Sequence, residues 1–69
     1  MDYSTFYKNY IFSYWEDDKG LRLGQFFMNE LSEHNFELYK SVPLELDCFY
    51  DDSLFGSCTD WVSKNWKDT

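Results

Sequence analysis

The sequence predicts a mainly α-helical fold: a small compact bundle of three helices, or four if one short extra turn is counted, with an extended connector around residues 43–52. Three observations carry this reading. Apolar residues in the first segment recur at helical spacing, the segments end on capping or breaking residues, and aromatic side chains are numerous enough to build a core in a chain of 69 residues.

The chain reads as one small acidic helical domain, residues 1–69, because a second core would have nothing to be built from. A domain this short buries only about 60% of the surface its unfolded chain exposes. Three Trp, six Tyr and seven Phe answer that demand, since each such ring can bury about 150 to 250 Å². A content of 43% hydrophobic and 23% aromatic residues also separates the chain from disordered sequences, which combine high charge with few rings.

Tyr3, Phe6, Tyr7, Tyr10, Ile11, Tyr14 and Trp15 fit one face of an α-helix at every step, with Phe12 alone off the stripe. Asp2 or Ser4 can cap that helix, which should fade around Glu16, Asp17 and Asp18 before Gly20. Carboxylates there oppose the helix dipole, at about 0.3 to 1 kcal/mol per exposed charge.

A second helix is expected from Leu21 to about His34, with Leu23, Phe26, Phe27 and Leu31 on its apolar face and Glu30 and Glu33 outward. Gly24 implies either the close approach of another backbone or a late start to the helix. Phe36 to Val42 suits a short further turn, because Pro43 disfavours helical geometry at Val42. In the connector Leu44, Leu46 and Cys48 alternate with Glu45 and Asp47, as in an edge strand, but a lone strand is unstable and an extended loop is favoured. Asp52 or Ser53 caps a last helix whose Leu54, Phe55, Cys58, Trp61, Val62 and Trp66 share a face.

Thirteen carboxylates against six cations give a net charge of −7, which repels nucleic acid and anionic lipid and favours a basic partner surface. No apolar run is long enough to span a membrane and the first residues do not resemble a secretory signal, so the expectation is a cytoplasmic protein, in the host cytoplasm if viral. Cys48 and Cys58 then read as reduced core residues.

The residues offer little for catalysis. Cys48, His34 and Cys58 lack the paired short spacings of a structural zinc site, and DCFYDDSLFGSC lacks the regular spacing and closing Glu of a calcium loop. A thiol nucleophile would need an oxyanion hole and an oriented base, neither of which the context of Cys48 or Cys58 implies. The three glycines, at 20, 24 and 56, form no phosphate loop. The expectation is no enzyme, no cofactor and no metal.

Two kinds of surface remain for binding. Glu16, Asp17, Asp18, Glu30, Glu33, Glu37, Glu45, Asp47, Asp51 and Asp52 could occupy a basic groove in place of nucleic-acid phosphates. Alternatively the rings that a small bundle cannot hide, such as Phe12, Phe36 or Tyr50, could contact another protein or a second copy of the chain.

The stretch RLGQFFMNEL, followed by LDCFYDD and WVSKNW, resembles a group of uncharacterised short proteins from phages and bacteria with an Arg-x-Gly-Gln helix and a Phe-Tyr-Asp-Asp segment. The likeness spans about Arg22 to Trp66 and marks Arg22, Gly24, Gln25, Asn29, Asp47, Phe49, Tyr50, Asp51 and Asp52, with Cys48 where the group tends to carry Pro. It implies no chemical activity. Physically, Arg22 can clamp the connector through Asp51 or Asp52 while Gln25 and Asn29 bond its backbone. A phage-like origin raises the expectation of an acidic protein that disables a host enzyme or defence complex by occupying a basic, nucleic-acid-handling site. The alternative is a structural or adaptor subunit that binds through exposed rings, as a homodimer or otherwise.

Overall fold

Helix formation begins at Asp2, whose extended backbone and side chain cap the first free amides: its carboxylate accepts the Thr5 amide at 2.8 Å. In the computed structural model, which describes residues 1–16 and 20–67, α1 (Tyr3–Phe6) runs directly into a π turn (Tyr7–Ile11) and then a 3-10 turn (Phe12–Trp15). The uniform α-helical stripe expected from the spacing is therefore interrupted. Phe6 and Ile11, fully buried, lie one π repeat apart, and the wider turn lets both reach the core. Trp15, expected on the buried stripe, is instead 57% exposed, and Phe12 is 54% exposed.

α2 (Leu23–His34) starts two residues later than expected and buries Gly24, Phe26, Phe27, Met28 and Leu31, with Leu23 only half-buried. Both readings of Gly24 hold. It lies in the first turn of the helix, and a β-carbon there would fall on the backbone carbonyl oxygen of Cys48.

Asn35 separates α2 from α3 (Phe36–Ser41) and joins them. Its amide closes α2 onto Leu31 at 2.8 Å, its side chain accepts the Leu38 amide at 3.3 Å, and its carbonyl accepts the Tyr39 amide at 2.9 Å. Val42 ends α3 in an extended conformation before Pro43, as the proline requires. The connector is not wholly extended: Leu44–Leu46 forms a 3-10 turn, and no strand occurs among the described residues.

Asp51, rather than Asp52 or Ser53, caps the last helical segment. Its carboxylate accepts the Ser53 amide at 3.0 Å and the Ser53 hydroxyl at 2.6 Å. A 3-10 turn (Asp52–Leu54) then leads into α4 (Phe55–Asn65), which buries Cys58 and Val62.

The core is an aromatic junction. Phe6 meets Phe27 edge-on at 6.1 Å and stacks on Trp66 at 5.0 Å, while Phe27 meets Phe55 edge-on at 5.6 Å. The Trp66 indole also donates to the Met1 carbonyl at 2.9 Å, tying α4 to the start of the first segment. The Cα radius of gyration of 11.1 Å matches the value of about 11 Å for a compact chain of this length.

Candidate functional site

The expected partner-binding carboxylates divide into two groups with different duties. Asp47, Asp51 and Asp52 hold backbone. Asp47 accepts the Phe49 amide at 2.9 Å in a tight local turn. Asp52 accepts the Gly24 amide at 2.9 Å, one of the donors that the first turn of α2 leaves without a helical partner. The Ser53 hydroxyl and amide hold the Asp51 carboxyl below the usual aspartate range, and the Thr5 amide does the same for Asp2.

The clamp expected of Arg22 forms with a different partner. Its guanidinium donates to the Phe49 carbonyl at 3.0 Å in place of the carboxylate of Asp51 or Asp52. Among the described residues, neither the Gln25 nor the Asn29 side chain hydrogen-bonds the connector; Arg22 and Asp47 bond its backbone at Phe49, and Asp52 ties it to α2 at Gly24. The sequence marks Arg22 and Asp52 for this junction, but their partners, the Phe49 carbonyl and the Gly24 amide, depend on tertiary proximity.

The glutamates face solvent to different degrees. Glu16, Glu33, Glu37 and Glu45 are exposed, and Glu37 pairs with Lys40 at 3.5 Å. Glu30, expected outward, is half-buried, with a carboxylate oxygen 3.3 Å from Nε2 of His34. Glu30, Glu33 and His34 cluster at the end of α2, where the spacing i, i+3, i+4 puts all three on one face. This grouping was missed because His34 was tested against distant cysteines; the sequence signal is Glu-x-x-Glu-His. Asp17 and Asp18 lie outside the described residues.

The three rings singled out for exposure are all exposed, but each has its own neighbour. Phe12 meets Tyr7 edge-on at 5.4 Å and lies 6.2 Å from Trp15. Phe36 stacks on Tyr39 at 5.8 Å and carries the Lys40 ammonium 5.2 Å from its centre. Tyr50, 83% exposed, packs edge-on against Phe49 at 4.7 Å. Trp15 was not among the expected surface rings; it closes the 3-10 turn that follows the π turn and is exposed.

The concavities among the described residues include a groove of about 420 Å³ lined by Asn35, Glu37, Leu38, Ser41, Asn65 and Lys67, and a smaller one of about 170 Å³ lined by Tyr39, Asp47, Phe49 and Tyr50. Both are open to solvent and neither is lined by a thiol or imidazole. Cys48 and Cys58 are fully buried free thiols. The Cys48 sulfur lies 3.8 Å from the Gly24 carbonyl and the Cys58 sulfur 3.7 Å from Met28 Sδ. Hydrogen bonding with Cys58 and burial push the Cys48 thiol far above its ordinary range. Neither thiol has the exposed, electropositive setting of a nucleophile.

Among the described residues no helix is long and apolar enough to cross a membrane. The chain matches no known protein family, and neither curated protein sequences nor solved structures show significant similarity to it.

Proposed function

We propose that this chain is a non-enzymatic binding protein that sets an acidic, ring-bearing surface on a basic surface of another protein. The observation that carries the reading is the exposure of Phe12 and Trp15 at the end of the first helical segment, immediately before Glu16 and the run containing Asp17 and Asp18. A small domain needs its rings for the core. Large apolar side chains displayed beside charge are a common composition for a contact surface with a hydrophobic centre and a polar rim. A net charge of −7 steers such a surface toward positive partners. Glu16, Glu33, Glu37 and Glu45, exposed and without backbone-capping duties among the described residues, supply the charge.

In its finer form the reading is of a phage or mobile-element inhibitor that occupies a nucleic-acid-handling site of a host protein in the host cytoplasm. That step rests on the charge and on the likeness to short phage and bacterial proteins read from the sequence between Arg22 and Trp66, which no family match supports. The exposure of Phe36 and Tyr50 favours a second reading, an adaptor subunit or homodimer whose contact is apolar.

The two readings separate on salt. Binding to a captured partner should weaken at least about tenfold when ionic strength rises from low to physiological values and above, because screening shortens the reach of charge to about 8 Å at 0.15 M. Neutralising Glu16, Glu37 and Glu45 together should reproduce that loss. Salt-insensitive capture that disappears in Trp15→Ala or Tyr50→Ala sinks the acidic reading in favour of the apolar one, and sedimentation of the isolated chain as a dimer identifies the partner as a second copy.

A further inference from the structure

Glu30, Glu33 and His34 converge on one point at the last turn of α2. Their donor atoms all lie within 4.8 Å of one another, and the His34 Nε2 to Glu30 distance is 3.3 Å. We propose that these three side chains form a binding site for a divalent transition metal of the zinc type, with three protein ligands and a fourth position open to water.

The geometry fits such an ion. Zinc bonds nitrogen and oxygen at about 2.0 to 2.2 Å in a tetrahedral arrangement, which sets neighbouring ligand atoms about 3.3 to 3.5 Å apart. The His34 and Glu30 donors already stand at that separation. Glu33 is exposed and needs only side-chain rotation to close the third corner. One imidazole with two carboxylates is a donor set suited to zinc, whereas calcium and magnesium take oxygen ligands alone.

His34 is also held in place for the task. Its ring stacks on Tyr10 with centres 3.9 Å apart and planes inclined by 27°, and Phe6 approaches it edge-on at 5.9 Å. Tyr10 belongs to the π turn, and such turns often mark functional positions. A ring fixed between two others loses little freedom when it takes up a metal.

Electrostatics point the same way. Two carboxylates at the C-terminal end of a helix oppose each other and the negative end of the dipole, and among the described residues neither pairs with a Lys or Arg. A dication at this position attracts both carboxylates and the helix end together. The cysteines do not compete, because Cys48 and Cys58 are fully buried against Gly24 and Met28, away from solvent.

The test uses the full chain, stripped with a chelator and titrated with zinc chloride by calorimetry. The expected result is saturable binding of one zinc per chain, weakened at least about tenfold in His34→Ala and in Glu33→Gln, ligand losses being no milder than the 10- to 100-fold losses typical of outer-shell changes. Asp60→Asn, on α4, should bind as the parent does. Because His34→Ala also removes a packed ring, Glu33→Gln, at an exposed position, reads the ligand role without touching the core, with circular dichroism confirming that both variants remain helical. Cobalt should give the intense visible absorption of a tetrahedral centre. Absence of saturable binding, equal affinity for magnesium, or unchanged zinc affinity in Glu33→Gln and His34→Ala overturns the proposal. None of these readings requires a protein partner, so failure of the metal site and failure of the proposed function are distinguishable.

Discussion

The Asp52 carboxylate holds the amide of Gly24 at 2.9 Å, reaching across 28 residues of sequence to serve the first turn of α2. The same aspartate opens the 3-10 turn that leads into α4, so one side chain joins the starts of the two longest helices. Asp52→Ala should therefore lower stability by about 0.5 to 2 kcal/mol, the usual cost of losing a cap. Urea unfolding followed by circular dichroism checks this, and an unchanged midpoint would show that water replaces the carboxylate without loss.

Gly24→Ala sets two effects against each other. Alanine in place of glycine favours a helix by about 1 kcal/mol. Here, however, the added β-carbon meets the Cys48 carbonyl oxygen, with the Cys48 carbonyl carbon at 2.9 Å and an Asp52 carboxylate oxygen at 3.0 Å. Backbone cannot rotate away as a side chain can, so the expected net effect is destabilisation of about 1 to 3 kcal/mol, the range for overpacking. Thermal unfolding of the variant measures it, and a raised midpoint would mean that the connector is free to move.

Acid should loosen the start of the first segment and the cap before α4. The Asp2 and Asp51 carboxyls are held below their ordinary range by the Thr5 and Ser53 hydrogen bonds. Because the folded values are depressed, each carboxylate contributes its full stabilisation above the unfolded value of about 3.9. That contribution is lost as pH falls through the lowered folded values. The stability difference between the parent chain and an Asp2→Ala, Asp51→Ala double variant should be constant at neutral pH and shrink below about pH 4.

Neither thiol should react in the folded chain. Cys48 and Cys58 have no exposed surface, and the Cys48 thiol is pushed further from ionisation by burial and its contact with Cys58. An aromatic disulfide reagent should label both only after guanidinium is added. Rapid labelling of the native chain would show that the connector opens on the time scale of the reaction.

The helices were legible wherever a local signal sufficed. Periodicity marked the apolar faces of α2 and α4, and Pro43 marked the end of α3 at Val42. Legibility failed where the deciding contact is distant in the chain. Nothing near Asp52 says that its carboxylate will serve Gly24 while Asp51 takes the cap, and no local residue announces that Arg22 will find the Phe49 carbonyl. The candidate carboxylates were visible by type, but their separation into backbone-bonded Asp47, Asp51 and Asp52 and solvent-facing Glu16, Glu33 and Glu37 needed the fold. Glu30, Glu33 and His34 were in plain view, and the assumption of an outward polar face concealed that they meet.

The π turn at Tyr7–Ile11 acts as a phase shifter along a continuous helical segment. A π turn is an α-helix carrying one surplus residue, so the rings after it fall one place off the uniform stripe counted from Tyr3. Removing a single residue between positions 7 and 11 would take out that surplus and leave a plain α-helical turn, with the rings beyond it keeping their facing. The turn thus holds one spare residue, so the loss of one there can be absorbed without exchanging what this protein hides for what it displays.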